Sequence, residues 1–147
     1  MVEPTKRQIK IIMKMFKPPK GWRVIQWHYR CGKACPINRA IYVPVVKDKY
    51  TLGYYLHEVA HVHFGHVLIK NKNIANPPGS HFRWHIQEAE AEIFTILALH
   101  VVGFPPTKRW VDQAKIYVKS VIKDDRRFKR RIDADVLAWT ESKWPYA

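Results

Sequence analysis

Two histidines four residues apart, with a glutamate directly after the first, are the residues of this chain best suited to chemistry: His57-Glu58-Val59-Ala60-His61. An α-helix advances about 100° per residue, so positions i and i+4 share a face. On a helix, His57 and His61 can direct imidazole nitrogens at one Zn²⁺. Glu58 can then reach a water bound to that metal and act as general base. A catalytic zinc takes three protein ligands and leaves one position open. The stretch that can supply the third is Gln87-Glu88-Ala89-Glu90-Ala91-Glu92. Glu88 and Glu92 share a helix face, and Glu90 points about 180° from their mean. Glu88 fits best as the third ligand. Glu92, one turn further on, can accept a hydrogen bond from a ligating imidazole and orient it.

Charge sets these carboxylates apart. The formal net charge is +14 over 147 residues, divided as +10 over residues 1–50, −1 over 51–106 and +5 over 107–147. In the middle segment the acidic residues are Glu58, Glu88, Glu90 and Glu92 and no others. Three glutamates so close on one helix repel one another, and a cation relieves that cost. The competing reading is a solvated acidic face at a helix N-terminus. The basic flanks suit a polyanion, most often nucleic acid, and solubility alone is the competing reading.

Other candidates stand beside this set. His81 and His85 precede Glu88 and, with Glu90, are alternative third ligands; His63 and His66 lie off the His57/His61 face. Cys31 and Cys35 form a single C-x₃-C pair, whereas zinc-ribbon pairs are usually C-x₂-C and come twice. They read as reduced cysteines in a turn, with a local disulfide or a metal half-site with His28 as alternatives. Trp22, Trp27, Tyr29 and Arg30 could stack nucleic-acid bases, or simply pack in the core.

The elements that must position these residues follow from caps, breakers and periodicity. Thr5 caps a predicted helix over 6–16, with Ile9, Ile12, Met13 and Phe16 on one face, and Pro18-Pro19-Lys20-Gly21 ends it. Residues 22–30 and 38–46 are rich in β-branched and aromatic residues and predict two strands paired as a hairpin. Pro44 places the second at a sheet edge or a bulge, because proline gives no donor to a ladder. Thr51 is the expected cap of the motif helix, which is expected to run to Val67 or Lys70, with Gly53 and Gly65 allowing close approach of neighbours. A polar loop spans 71–80. Ser80 caps a helix over 81–102 whose second half is apolar nearly all round, and Gly103 stops it. Thr107 caps a helix over 108–123, with an apolar stripe from Trp110 to Ile122, and a last helix covers 125–140.

The run from His57 through Phe64-Gly65-His66, followed by Glu88-Ala89-Glu90-Ala91-Glu92-Ile93-Phe94, resembles the zincin metallopeptidases. Within them it is most similar to the ImmA/IrrE-type domain. The resemblance covers about residues 51–104. It implies an α+β, zincin-like single domain over residues 1–147, with the active-site helix packed on a small sheet beside additional helices. It also implies a Zn²⁺ cofactor and peptide-bond hydrolysis, in many members acting on DNA-associated regulators of phages or mobile elements. Glu88 matches the first position of the gluzincin E-x-x-x-D pattern, and Glu92 stands where Asp is usual. Val67 occupies the position where a metzincin needs its third histidine. SprT-like proteases, which act on protein crosslinked to DNA, use a histidine as third ligand, which keeps His81 and His85 in play. A basic nucleic-acid-binding module with a structural or vestigial metal site is the rival from outside the enzymes.

The expected chemistry is hydrolysis with Glu58 moving the proton, and Tyr54, Tyr55, Arg83 and His85 are available by type to stabilise an oxyanion. An extended peptide substrate could add to the strand edge near Ile41–Val46. No segment has the ~18 apolar residues of a membrane span, and the N-terminus lacks a signal-peptide pattern, so a cytoplasmic protein with no membrane partner is expected.

Overall fold

The computed structural model describes residues 2–64, 69–70, 73–74 and 81–124, with side chains over 2–64 and 87–121. The described elements are four helices and two small sheets, an α+β arrangement.

Helix α1 (Lys6–Met15) begins as its sequence predicts. The Thr5 hydroxyl accepts from the Gln8 amide at 3.2 Å, and the Gln8 side chain accepts from the Thr5 amide at 2.8 Å. This reciprocal cap satisfies two of the orphan donors at the helix start. Ile9 and Ile12 are buried, and Lys6, Arg7, Lys10 and Lys14 are exposed on the other face.

The expected hairpin does not form. Strand β1 (Arg23–Trp27) runs parallel to β3 (Ala40–Pro44), from Arg23 opposite Ala40 to Trp27 opposite Pro44. The antiparallel partner of β3 is β2 (Lys33–Cys35), giving the order β1-β3-β2. The chain reverses between β2 and β3 through Arg39, whose φ is +47°. Three residues of mixed type carry almost no strand signal, so the element that decides the topology was read as a turn. β3 is therefore central, not an edge. It tolerates Pro44 because that residue is its last, and two residues on the Val46 N–H donates to the side chain of Gln26 at 2.8 Å.

Helix α2 (Lys49–His63) starts earlier than expected. Asp48 is the cap, accepting from the Thr51 amide at 2.8 Å, and Thr51 is the third helical residue that reciprocates. The helix also stops earlier, with the Phe64 amide donating to the Ala60 carbonyl at 2.9 Å. Ile69–Lys70 and Asn73–Ile74 are short strands β4 and β5, paired antiparallel where a longer helix and a loop were expected. Helix α3 (His81–Val101) ends on Gly103 at φ +87°, with the Phe104 amide reaching back to the Leu99 carbonyl at 2.9 Å. That left-handed residue and the long backward bond are a Schellman stop. Helix α4 (Lys108–Asp124) opens with the Trp110 amide donating to the Thr107 hydroxyl at 3.2 Å. The helix expected over 125–140, Gly65, and the remainder of the 71–80 loop lie outside the described residues.

Helix α3 sits between two apolar clusters. On one side Ala98 and Leu99 join Ile41 and Val43 of β3 and Leu52, Tyr55, Leu56 and Val59 of α2. On the other, Ala89, Ile93 and Ile96 pack against Val111, Ala114, Val118 and Val121 of α4. Burying both faces explains why the sequence from Ile93 to Leu99 is apolar almost all round. The Tyr55 hydroxyl lies 3.0 Å from the carbonyls of both Met13 and Phe16, tying α2 to the end of α1. The motif helix is held from both sides, so its histidines face α3 at fixed depth. No described helix is long and apolar enough to cross a membrane.

Candidate metal centre

Helix α2 presents His57 and His61 one turn apart, and α3 presents Glu88 and Glu92 one turn apart against them. Nε2 of His57 and Nε2 of His61 lie 3.1 Å apart, and each is 3.0 Å from an oxygen of the Glu88 carboxylate. Zinc with ligand bonds near 2.05 Å in tetrahedral geometry separates its ligand atoms by about 3.3 Å. The three residues fit that spacing within a few tenths of an ångström. Among the described residues they are the group of histidine, cysteine and carboxylate side chains placed to hold a metal ion.

The electrostatics also call for positive charge between the two helices. Burial disfavours charge on His57, yet hydrogen bonds and attraction from Glu88 and Glu92 outweigh it and push the imidazole up to about 10. Burial opposes ionisation of Glu88 as well, but its bonds to His57 and His61 hold its carboxyl far below the usual range.

Glu92 meets the far nitrogen of His57, its Oε2 lying 3.5 Å from Nδ1. A carboxylate there favours the tautomer with its hydrogen on Nδ1, leaving the Nε2 lone pair free to ligate. The other oxygen of Glu92 accepts from the Trp110 indole N–H at 2.6 Å. Glu90 is half-buried and is not part of the His57–His61–Glu88 group. His63 is exposed and packs against the rings of Phe64 and Phe94. His66, His81, His85 and Arg83 lie outside the residues with described side chains.

Glu58 is only 8% exposed. Burial raises its carboxyl to about 7, with repulsion from Glu88 adding and the charge of His57 opposing. It lies against Gly32, where an added Cβ would stand 2.8 Å from both Cγ and Oε1 of Glu58. Gly32, just before β2, is thus a site residue that local patterning missed; the glycine in Cys31-Gly32-Lys33 reads as a turn until β2 is known. Trp110 was missed in the same way, because its place in the α4 stripe marked it as core.

A cleft of about 450 Å³ opens beside Glu58, walled by Gly32, Tyr50, Tyr54, Thr95 and Trp110. Among the described residues its lining holds three carboxylates and no lysine or arginine. A hydrogen bond shared with the Tyr50 hydroxyl, with burial adding, pushes the Tyr54 hydroxyl up to about 12, so it stays protonated. A second recess of about 490 Å³, on the α4 side, shares His57, Glu88, Glu92 and Trp110.

The remaining candidates do not converge on the group. Cys31, in a bend before β2, is exposed at the cleft, and Cys35, the last residue of β2, is half-buried; both are free thiols, and no described metal-capable group includes them or His28. Trp27 packs against Tyr29 and Tyr42 and donates its indole N–H to the Cys31 carbonyl at 2.8 Å, while Trp22 packs on the core. Comparison with protein-family models, curated proteins and solved structures finds no match.

Proposed function

We propose that the chain is a zinc-dependent metallopeptidase that hydrolyses peptide bonds in protein or peptide substrates. One observation carries the reading: two imidazole nitrogens and one carboxylate converge at 3.0–3.1 Å with a buried glutamate beside them. His57, His61 and Glu88 would hold the ion, and a zinc there supplies a Lewis acid that lowers the pKa of water. A purely structural zinc has no use for a base such as Glu58 next to its ligands.

The chain's own residues supply the rest. Glu58, wedged against Gly32, takes the proton from the attacking water and returns it to the leaving amine. Glu92 keeps His57 in the ligating tautomer. The Tyr54 hydroxyl at the cleft is a donor for a developing oxyanion, whereas the Tyr55 hydroxyl is engaged with the α1 carbonyls. The central position of β3 rules out peptide addition at Ile41–Val46. The outer edge of β2, which follows Gly32 and pairs with no other described strand, offers the backbone donors and acceptors to align an extended peptide past Glu58.

Proteins associated with DNA suit the basic flanks as substrates, as the resemblance to ImmA/IrrE-type domains implies. The exposed lysines and arginine of α1 also favour a second reading, a nucleic-acid-binding module whose metal is structural. Glu58→Gln separates the two. The metallopeptidase keeps its zinc and loses cleavage, and the inactive protein traps its substrate in the native host. Cleavage retained by Glu58→Gln rules out this role for Glu58. Steeply salt-dependent DNA binding by a chain that never cleaves protein favours the module.

A further inference from the structure

We infer that Trp110 is a positioning residue of the metal centre, acting on His57 through Glu92; this rests on the metal reading above. A glutamate has three rotatable bonds, and one contact at 3.5 Å to His57 Nδ1 does not fix it. The Trp110 indole N–H fixes its other oxygen at 2.6 Å, a short bond to a charged acceptor of the stronger kind. The carboxylate thus bridges indole and imidazole, and the orientation of His57 depends on a residue of α4.

Two further features hold Trp110 in place. Its amide donates to the Thr107 cap, which pins its backbone in the first turn of α4. Its ring lies over Gly53, one turn before His57 on α2, where an added Cβ would stand 2.7 Å from Cη2 and 3.2 Å from Cζ2. Gly53 sits inside a helix, where glycine costs roughly 1 kcal/mol relative to alanine. The close approach of the indole gives that cost a purpose. Trp110 therefore spans α2 and α3 from α4, and links the docking of α4 to the geometry of the ligands.

The test is zinc affinity by chelator competition on the full chain, alongside melting temperature. Removing a partner behind a metal ligand typically weakens metal binding about 10–100-fold. Trp110→Phe keeps most of the ring and removes the donor, and is expected to weaken zinc binding about tenfold. In a Glu92→Ala background the same change should cost nothing further, because the indole then has no carboxylate to hold. Val111→Ala, on the same helix and fully buried, should lower the melting temperature and leave zinc affinity unchanged. Gly53→Ala gains helix propensity yet should weaken zinc binding by displacing the indole.

Folded Trp110→Phe with zinc affinity within twofold of wild type overturns the proposal. So does a Trp110→Phe cost that persists in full without Glu92, which would make the effect one of packing. A wild-type chain that takes up no zinc overturns the metal reading itself and this inference with it. Wild-type uptake with unchanged affinity in Trp110→Phe removes only the role of Trp110.

Discussion

Gly32→Ala is a one-methyl test of how the base is held. The φ of Gly32 lies outside the left-handed region, so alanine fits the backbone and only the new contact is probed. The added Cβ would stand 2.8 Å from Cγ and Oε1 of Glu58 and 3.1 Å from Cδ, where ordinary contact begins near 3.4 Å. The carboxylate must then retreat by about 0.6 Å, and at 8% exposure it has little room to swing into solvent. Displacement of a catalytic group by about 1 Å can cost about 10²-fold, so a shift of this size is expected to cost about tenfold in kcat, or about 1.4 kcal/mol of barrier. The three atoms nearest the added Cβ all belong to Glu58 and none to a metal ligand, so zinc stoichiometry and affinity should not change. Replacing glycine by alanine also narrows the unfolded ensemble by about 0.4–1 kcal/mol, which offsets part of the strain and keeps the protein folded. The assay is turnover of the substrate captured by Glu58→Gln, with zinc content measured on the same preparation. Full turnover in Gly32→Ala would refute the placement of Glu58 against the β2 approach. Lost zinc would show that the segment before β2 supports the ligands and not the base.

Two further predictions concern the scaffold. Asp48→Ala removes the cap of the motif helix and should cost about 1 kcal/mol near neutral pH, read from urea denaturation. Burial raises the Asp48 carboxyl, but its bonds to Thr51 outweigh that and lower it below the ordinary carboxylate value. With the folded pKa below the unfolded one, the stabilisation is present above the ordinary carboxylate range and is lost as pH falls through the folded value. The gap between wild type and Asp48→Ala should therefore close in acid; a gap that persists unchanged at low pH contradicts the capping role. Tyr55→Phe removes the hydroxyl 3.0 Å from the Met13 and Phe16 carbonyls and should destabilise by about 1–3 kcal/mol. A variant as stable as wild type would mean that this tie between α1 and α2 contributes nothing.

The parts of this molecule legible in its sequence are those decided within a few residues. Thr5 and Thr107 cap helices because a hydroxyl can reach an amide three positions on, and Gly103 stops α3 because the stop needs a left-handed residue. The same locality let the i, i+4 spacings of His57 with His61 and of Glu88 with Glu92 name the residues that converge. Thr51 is not the cap its hydroxyl suggests, because Asp48 and Thr51 belong to one reciprocal cap and composition does not say which residue stands outside the helix. The sheet failed for a longer-range reason. Pairing β1 parallel to β3 depends on Lys33–Cys35 taking the antiparallel place, and three residues of that kind carry no periodicity. Gly32 against Glu58 and Trp110 against Glu92 join positions 26 and 18 residues apart. No local pattern encodes such contacts, so the residues that orient the site were read as a turn and as core.

The most direct test of the central claim is zinc K-edge X-ray absorption on the purified chain, with metal content measured on the same sample. One zinc per chain is expected, with nitrogen and oxygen neighbours at about 2.0–2.2 Å and no sulfur at about 2.3 Å. His61→Ala and Glu88→Ala should each lose the ion, and a Cys31→Ser/Cys35→Ser double variant should retain it. A chain that takes up no zinc, or a spectrum with sulfur in the coordination sphere, would contradict a centre built from His57, His61 and Glu88.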